Sequence, residues 1–130
     1  TLTNTGSYPA STMNGSGLAA PFTFKGGSYP GTGGTCGSTL NNGDSCTVVV
    51  TFAPTVSGSH TDTIDISYYS GASNVSSTRD IQGTSAAPAS ISISDGPTFA
   101  FGTRATGSST DKTFTISNTG GVTATSFGGS

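Results

Sequence analysis

The stretch CTVVVTFAPTVSGSHTDTIDISYY, Cys46–Tyr69, decides the fold of this 130-residue chain. Apolar residues alternate with polar ones in both halves of it: Cys46, Val48, Val50 and Phe52, then Ile64, Ile66 and Tyr68. A period of two is typical of strands in a sheet that has one wet face. Ser57-Gly58 separates the halves with residues that favour turns. The stretch therefore predicts two strands joined by a turn.

Shorter runs of the same period lie on both sides of this stretch. Their apolar positions are Phe22 and Phe24 in PFTF, Ile91 and Ile93 in SISIS, and Phe114 and Ile116 in KTFTIS. Turn residues such as Asn, Gly and Asp separate the runs, and no segment has helical periodicity for three turns. The Gly-rich segment 25–44 is predicted to be a loop. Many short strands at this spacing predict an all-β chain folded as an antiparallel β-sandwich.

Composition excludes several classes of function. Charged residues make up 8% of the chain, there is no Glu, and the four basic residues are scattered, so a nucleic-acid interface is not expected. No apolar run approaches the ~18 residues that cross a bilayer. Ser, Thr, Gly and Asn dominate the polar positions, a composition associated with secreted bacterial surface proteins. The predicted location is therefore extracellular, on a bacterial surface.

Two segments of the chain resemble each other at an offset of 114 residues: Thr1 to Ser16 aligns with Thr115 to Ser130. TLTNTG at Thr1–Gly6 returns as TISNTG at Thr115–Gly120, and Met13 aligns with Phe127. The strand-like runs ASISIS and PTFAFG precede the second copy, and the first copy has no such run before it, which favours a periodic molecule cut out of register. We predict an opening sandwich over 1–85 that lacks its first strand or strands, a linker over 86–89, and the opening strands of the next repeat over 90–130.

The chain resembles the choice-of-anchor D repeats, bacterial relatives of the immunoglobulin-like ASPM–SPD-2–Hydin domains. The residues that carry the resemblance are Cys36, Gly37, Leu40, Gly43, Cys46, Val50, Phe52, Pro54, Gly58, Ile64 and Ile66, followed by Phe101-Gly102, Gly107 and Asn118-Thr119-Gly120. The resemblance implies an immunoglobulin-like sandwich, in tandem arrays on large bacterial surface or secreted proteins. It implies no enzyme activity.

Cys36 and Cys46 are the only cysteines. In an exported protein an even pair indicates a disulfide, and two free thiols in a cytosolic protein are the alternative. The spacing does not suit zinc, because only the single His60 is available as a further ligand.

Other chemistry-bearing residues give weaker signals. His60 lacks the sequence context of a serine hydrolase, and we expect no catalytic residue. Asp95 and Asp111 lie near the linker, but the Asp residues are spread singly, so we expect no metal and no cofactor. The four tyrosines, Tyr8, Tyr29, Tyr68 and Tyr69, are candidates for a sugar-stacking surface, but parity predicts that Tyr68 faces the core and Tyr29 lies in the long loop.

The sequence predicts a non-enzymatic repeat of an extracellular fibre, stalk or adhesin. We expect a donor segment containing Ile91, Ile93, Phe99 and Phe101 to complete the sandwich of a neighbour by strand addition. The expected partners are copies of the chain or adjacent repeats of one long chain. The alternative is an immunoglobulin-like module that binds a surface glycan or a host protein, and an enzyme is a distant third reading.

Overall fold

The computed structural model describes residues 1–126 and 128, so the end of the predicted repeat, Phe127, Gly129 and Ser130, lies outside the described residues. The described residues form nine strands and no helix, and all strand pairs are antiparallel. The all-β prediction is confirmed. The strands are β1 Leu2–Thr3, β2 Ser11–Ser16, β3 Phe22–Phe24, β4 Ser45–Cys46, β5 Val50–Phe52, β6 Gly58–Tyr69, β7 Asn74–Ser85, β8 Ile91–Ile93 and β9 Ile116–Asn118.

The chain divides into two compact units, Thr1–Ser85 and Ala86–Ser130. In the first unit, β2, β6 and β7 form a three-stranded sheet with β6 in the middle, while β1 pairs with β4 and β3 pairs with β5. Several antiparallel sheets around one core are consistent with a β-sandwich. In the second unit, β8 pairs with β9.

The core of the first unit lies under the apolar faces that the period-two pattern predicts. Ile66 on β6 is only 2% exposed, and its neighbours at the same parity, Ile64 and Tyr68, pack against the core. The buried cluster comprises Ala10, Met13, Phe24, Cys36, Leu40, Cys46 and Ile66. Phe22 on β3 stacks on Phe52 on β5 with ring centroids 4.8 Å apart, as expected for residues directly opposite each other.

The segment 46–52 is not one continuous strand, contrary to the sequence prediction. It divides into β4 and β5 because the backbone between them bonds to the Gly-rich loop. Val49 accepts a hydrogen bond from the Lys25 amide at 2.9 Å and donates one to the Pro30 carbonyl at 2.8 Å. Thr47 accepts from the amides of Thr35 and Cys36. The loop 25–44 itself is confirmed as a segment without named strands.

Strand β7 has no apolar alternation that identifies it in the sequence. Asn74–Ser85 has only Val75 and Ile81 as large apolar residues and is mostly exposed, yet it pairs with β6 over twelve consecutive residues. A four-residue turn, Ser70–Ser73, starts this hairpin, with Gly71 in the left-handed region at φ 92° and the Ser70 amide donating to the Ser73 carbonyl at 2.9 Å. β7 is therefore specified by its pairing with β6 and by the turn that joins them, and not by an apolar face in its own sequence.

In the second unit, the predicted strand in PTFAFG does not form. Among the described residues the sheet here contains only β8 and β9, and Phe99 and Phe101 lie outside it. They pack edge-to-face instead, and Phe99 makes a second such contact with Phe114. The strand predicted in KTFTIS is shorter than expected and begins at Ile116.

Candidate strand-accepting groove

A groove of about 590 Å³ opens on the surface of the first unit. Three groups of residues line it: the chain from Thr1 to Tyr8, the apolar side chains of Ala10, Met13, Leu40, Val48, Ile64 and Tyr68, and a polar group formed by Ser70, Ser77, Thr78 and Arg79. All six apolar residues belong to the core or pack against it. The groove is therefore an opening through which the core meets solvent.

The backbone edge of β1 that borders this groove is unpaired. On the opposite edge, Asn4 donates its amide to the Asp44 carbonyl at 3.0 Å and accepts from the Gly43 amide at 2.8 Å. Since hydrogen-bonding directions alternate along a strand, the N–H and C=O groups of Thr3 and Thr5 point away from β4. Among the described residues, β1 has β4 as its only neighbour in the sheet. The groove thus combines a mixed lining, in which core side chains reach solvent among polar residues, with a free strand edge.

The side chain of Asn4 fixes the chain where it leaves β1. Its Nδ2 donates to the carbonyls of Tyr8 and Leu40, at 2.8 and 2.9 Å, and its Oδ1 accepts from the Gly6 amide at 3.0 Å. An Asn that bonds the amide two residues ahead forms the local turn that this residue type favours. These hydrogen bonds tie the rim of the groove to Leu40 and to the turn at Gly6.

The same turn occurs in the second unit at the equivalent position, Asn118. Its Nδ2 donates to the Val122 carbonyl at 2.8 Å and its Oδ1 accepts from the Gly120 amide at 3.0 Å. Both donors and acceptors are displaced by 114 residues from those of the first turn. Two non-glycine residues at the same offset, Thr12 and Ser126, have left-handed φ angles of 52° and 61°. The repeat in sequence is therefore accompanied by a repeat of the Asn turn and of a left-handed residue at the same offset.

The four predicted donor residues fall into two groups rather than on one strand. Ile91 and Ile93 lie on β8, and 44% and 61% of their surfaces are exposed. Phe99 and Phe101 lie outside the strands, in the aromatic contacts described above. The segment remains a predicted donor, with β8 as its strand-forming part.

A disulfide joins Cys36 to Cys46, as predicted for the only two cysteines. Both are buried in the core of the first unit. Beside them, the amides of Thr35 and Cys36 donate to the Thr47 carbonyl, and the Thr35 and Thr47 hydroxyls lie 3.1 Å apart. The bond ties the Gly-rich loop to the start of the β4–β5 segment, which lines part of the groove through Val48.

His60 makes contacts that join neighbouring strands. Its Nε2 lies 3.0 Å from the Val56 carbonyl and 3.2 Å from the Ser85 hydroxyl, which itself donates to Val56 at 2.7 Å. Its ring packs against Phe52, with centroids 5.7 Å apart. These contacts tie His60 on β6 to Ser85 on β7 and to Phe52 on β5.

The tyrosines are dispersed over the first unit. Tyr8 is 72% exposed and lines the groove together with Tyr68, which is half-buried against the core. Tyr29 packs edge-on against Phe24, and its phenol donates to the Gly37 carbonyl at 3.2 Å. Burial raises the pKa of the Tyr29 phenol. Only Tyr8 and Tyr68 therefore belong to the groove.

Asp95 is engaged by a cation instead of standing free for a metal. Lys112 Nζ lies 3.0 Å from its Oδ2 and also sits over the ring of Phe99, 4.8 Å from the centroid. The Ser94 hydroxyl donates to the same oxygen at 2.8 Å. Among the described residues there is no group of three or more His, Cys, Asp or Glu that could hold a metal ion. The described residues likewise contain no helix long and apolar enough to cross a membrane.

The hydrogen bond from Lys112, reinforced by that from Ser94, lowers the pKa of Asp95. Because the pKa is lowered, the pair stabilises the second unit fully at pH values above the ordinary Asp pKa of about 4. This contribution is lost as the pH falls through the lowered pKa of Asp95. We expect Lys112→Gln to raise the pKa of Asp95 towards its ordinary value, as followed by NMR titration of its carboxyl carbon. Lys25→Gln, in the first unit, is the control, and equal titration midpoints in all three proteins would contradict the prediction.

Comparison with protein-family models, with curated proteins and with solved structures found no match to this chain. The resemblance to choice-of-anchor D repeats therefore stays a prediction from the sequence.

Proposed function

We propose that this chain is a non-enzymatic, immunoglobulin-like structural repeat of an extracellular bacterial fibre, stalk or adhesin, and that its units assemble head to tail by strand addition. The observation that carries the proposal is the groove beside β1, where core side chains meet solvent next to an unpaired strand edge. A strand added there satisfies the free backbone groups and covers the core at once.

The two matching turns support the proposal that both units are copies of one repeat. Asn4 and Asn118 make the same local hydrogen bonds, and their strands β1 and β9 have the same sequence character. In the second unit β9 has β8 beside it, whereas β1 has an open groove on the corresponding side. Strand addition would give β1 of the first unit a neighbouring strand on that side, as β9 of the second unit already has in β8.

The placement of donor and acceptor on one chain sets the form of the assembly. The groove belongs to the first unit and the exposed Ile91 and Ile93 belong to the second. A contact between two different surfaces of the same molecule is heterologous, and it extends into an open, linear array when the rotation between copies does not close a ring. The chain then carries load through strand hydrogen bonds and buried apolar faces.

An oxidising compartment is supported by the Cys36–Cys46 disulfide. A covalent bond that anchors the Gly-rich loop suits a molecule outside the cell, where no reductant restores thiols and mechanical load is applied. The low charge of the chain and its Ser- and Thr-rich surface support the same location.

The proposal is tested by light scattering on the full chain over a range of concentrations. We expect the mass to rise above the monomer value of 12.7 kDa as concentration increases. Ile93→Asp places a charge on the donor face and is expected to return the chain to the monomer, while Ser92→Asp, on the opposite face of β8, is the matched control. A wild-type chain that stays monomeric up to about 1 mM, where an association of about 4 kcal/mol becomes visible, would overturn the proposal.

A second candidate function is favoured by the two tyrosines in the groove. Tyr8 is exposed at the rim and Tyr68 lies within, so a sugar ring or an aromatic peptide side chain could stack between them. The chain would then be a binding module for a surface glycan or a host protein. Glycan-array binding that disappears in Tyr8→Ala, by a chain that light scattering finds monomeric, would favour this function over assembly.

A further inference from the structure

We infer that β8 is an exchangeable strand with two alternative partners, β9 of its own chain and β1 of a second copy, and that it pairs with both in the same register. The inference rests on the proposed function and names the segment and the geometry that assembly would use. It predicts that Ile93 of one copy lies opposite Leu2 of the other and that Ile91 lies opposite Asn4.

The pairing of β8 with β9 supplies the template. Ile91 lies opposite Asn118, and Ile93 lies opposite Ile116. The Thr119 amide donates to the Ser90 carbonyl at 2.8 Å, and the Ser94 amide donates to the Thr115 carbonyl at 2.9 Å. The residues of the second repeat whose backbone groups face β8 are therefore Thr115, Ser117 and Thr119.

The corresponding residues of the first repeat, displaced by 114, are Thr1, Thr3 and Thr5. They are the residues that face the free edge, because the hydrogen bonds of Asn4 go to the opposite side, towards β4. The edge that β8 uses on β9 is thus the edge that β4 leaves open on β1. All three threonines line the groove.

The side chain of Asn4 extends the match beyond the backbone. In the second unit the Oδ1 of Asn118 accepts two hydrogen bonds, from the Gly120 amide at 3.0 Å and from the Ser90 amide at 3.1 Å. In the first unit the Oδ1 of Asn4 accepts from Gly6 at 3.0 Å. A carboxamide oxygen has two lone pairs, so Asn4 can accept from Ser90 of a second copy in the way that Asn118 does.

The side chains give the direction of exchange. Paired with β9, Ile91 and Ile93 are 44% and 61% exposed, and Ile116, opposite Ile93, is 58% exposed. In the inferred register they lie on the same face of β1 as Leu2, which packs against the core of the first unit. They would therefore lie against the core side chains of the groove, and the hydrophobic effect favours the second copy over the open β9.

A reversible lock on β8 tests the exchange. Ile93 and Ile116 lie directly opposite each other, at a position without backbone hydrogen bonds between the two residues, where a disulfide fits best. In the full chain carrying Ile93→Cys and Ile116→Cys, oxidation is expected to hold β8 on its own β9 and to abolish assembly. Mild reduction is expected to restore it, with wild-type protein in the same reductant as the control for the Cys36–Cys46 bond.

Cross-linking between chains tests the register. We expect Leu2→Cys in one chain and Ile93→Cys in another to form a mixed disulfide about tenfold faster or more than Leu2→Cys with Ile91→Cys, which is two residues out of register. Each single variant incubated alone measures the background of like-with-like dimers. Peptide mass mapping identifies the residues that are joined.

The outcomes separate this inference from the proposed function. A locked chain that still assembles, or a faster cross-link to Ile91→Cys than to Ile93→Cys, would overturn the inferred exchange or its register while leaving strand addition in place. A wild-type chain that does not assemble would overturn the proposed function itself. Loss of assembly on locking, together with the matched cross-link, supports both.

Discussion

We expect Gly31→Ala to reduce the free energy of unfolding of the first unit by about 3 kcal/mol. Gly31 has a φ of 88°, a left-handed conformation that costs a residue with a Cβ about 1 kcal/mol. An added Cβ would also press on the Val49 carbonyl oxygen and lie 3.0 Å from the Val49 carbonyl carbon and 3.1 Å from the Lys25 amide nitrogen. These neighbours are backbone atoms, so no rotamer change can make room.

Gly33→Ala is the matched control for this prediction. Its φ of 89° is almost the same as that of Gly31, but an added Cβ there has no neighbour within 4 Å. It should lose only the conformational part, about 1 kcal/mol. Urea unfolding of both variants, followed by circular dichroism, measures the difference. Equal losses would show that the loop does not pack against Val49 as closely as the structure has it.

We expect loss of the Cys36–Cys46 bond to cost the first unit about 2.5–3 kcal/mol. The two cysteines are 10 residues apart in sequence, and the bond between them closes a loop. Without the bond the unfolded chain has more conformations, so folding loses more conformational entropy. The rest of loop 25–44 is rich in glycine, which has the largest backbone entropy to lose on folding. Denaturant unfolding of the reduced wild-type protein against the oxidised form measures this cost.

The double variant Cys36→Ala with Cys46→Ala separates the bond from the packing of its sulfur atoms. Both side chains are buried in the core, so the variant also removes two sulfur atoms from close contact. It should therefore be less stable than the reduced wild-type protein, which keeps both sulfurs. A reduced protein as stable as the oxidised one would contradict the prediction.

Much of the first unit could be predicted from the sequence, because strand alternation is a local property. The faces of β6 were predicted correctly, since Ile64, Ile66 and Tyr68 share a side and one side meets the core. Strand β7 was missed for the converse reason. Apart from Val75 and Ile81 it carries no large apolar side chain, and its pairing with β6 over twelve residues makes it a strand.

The division of 46–52 and the missing strand at Phe99 and Phe101 have a common cause. A strand forms only where its backbone hydrogen-bonds to another strand, and an alternating sequence pattern does not predict which strand that is. The backbone of Val49 bonds to the Gly-rich loop, while Phe99 lies outside the strands and makes ring contacts with Phe101, Phe114 and Lys112. In both places non-local hydrogen bonding or its lack overrode a good local pattern.

The sequence by itself determined the period-two faces, the single cysteine pair and the echo of TLTNTG in TISNTG. Each depends on residue type and spacing along the chain, which folding does not alter. Only the tertiary structure decided that β4 covers one edge of β1 and leaves the other free, and that this free edge borders a groove in which core side chains meet solvent. Which edge is covered depends on the direction of backbone hydrogen bonds between segments more than 40 residues apart in sequence, such as those of Leu2 and Cys46. Those bonds exist only in the folded chain.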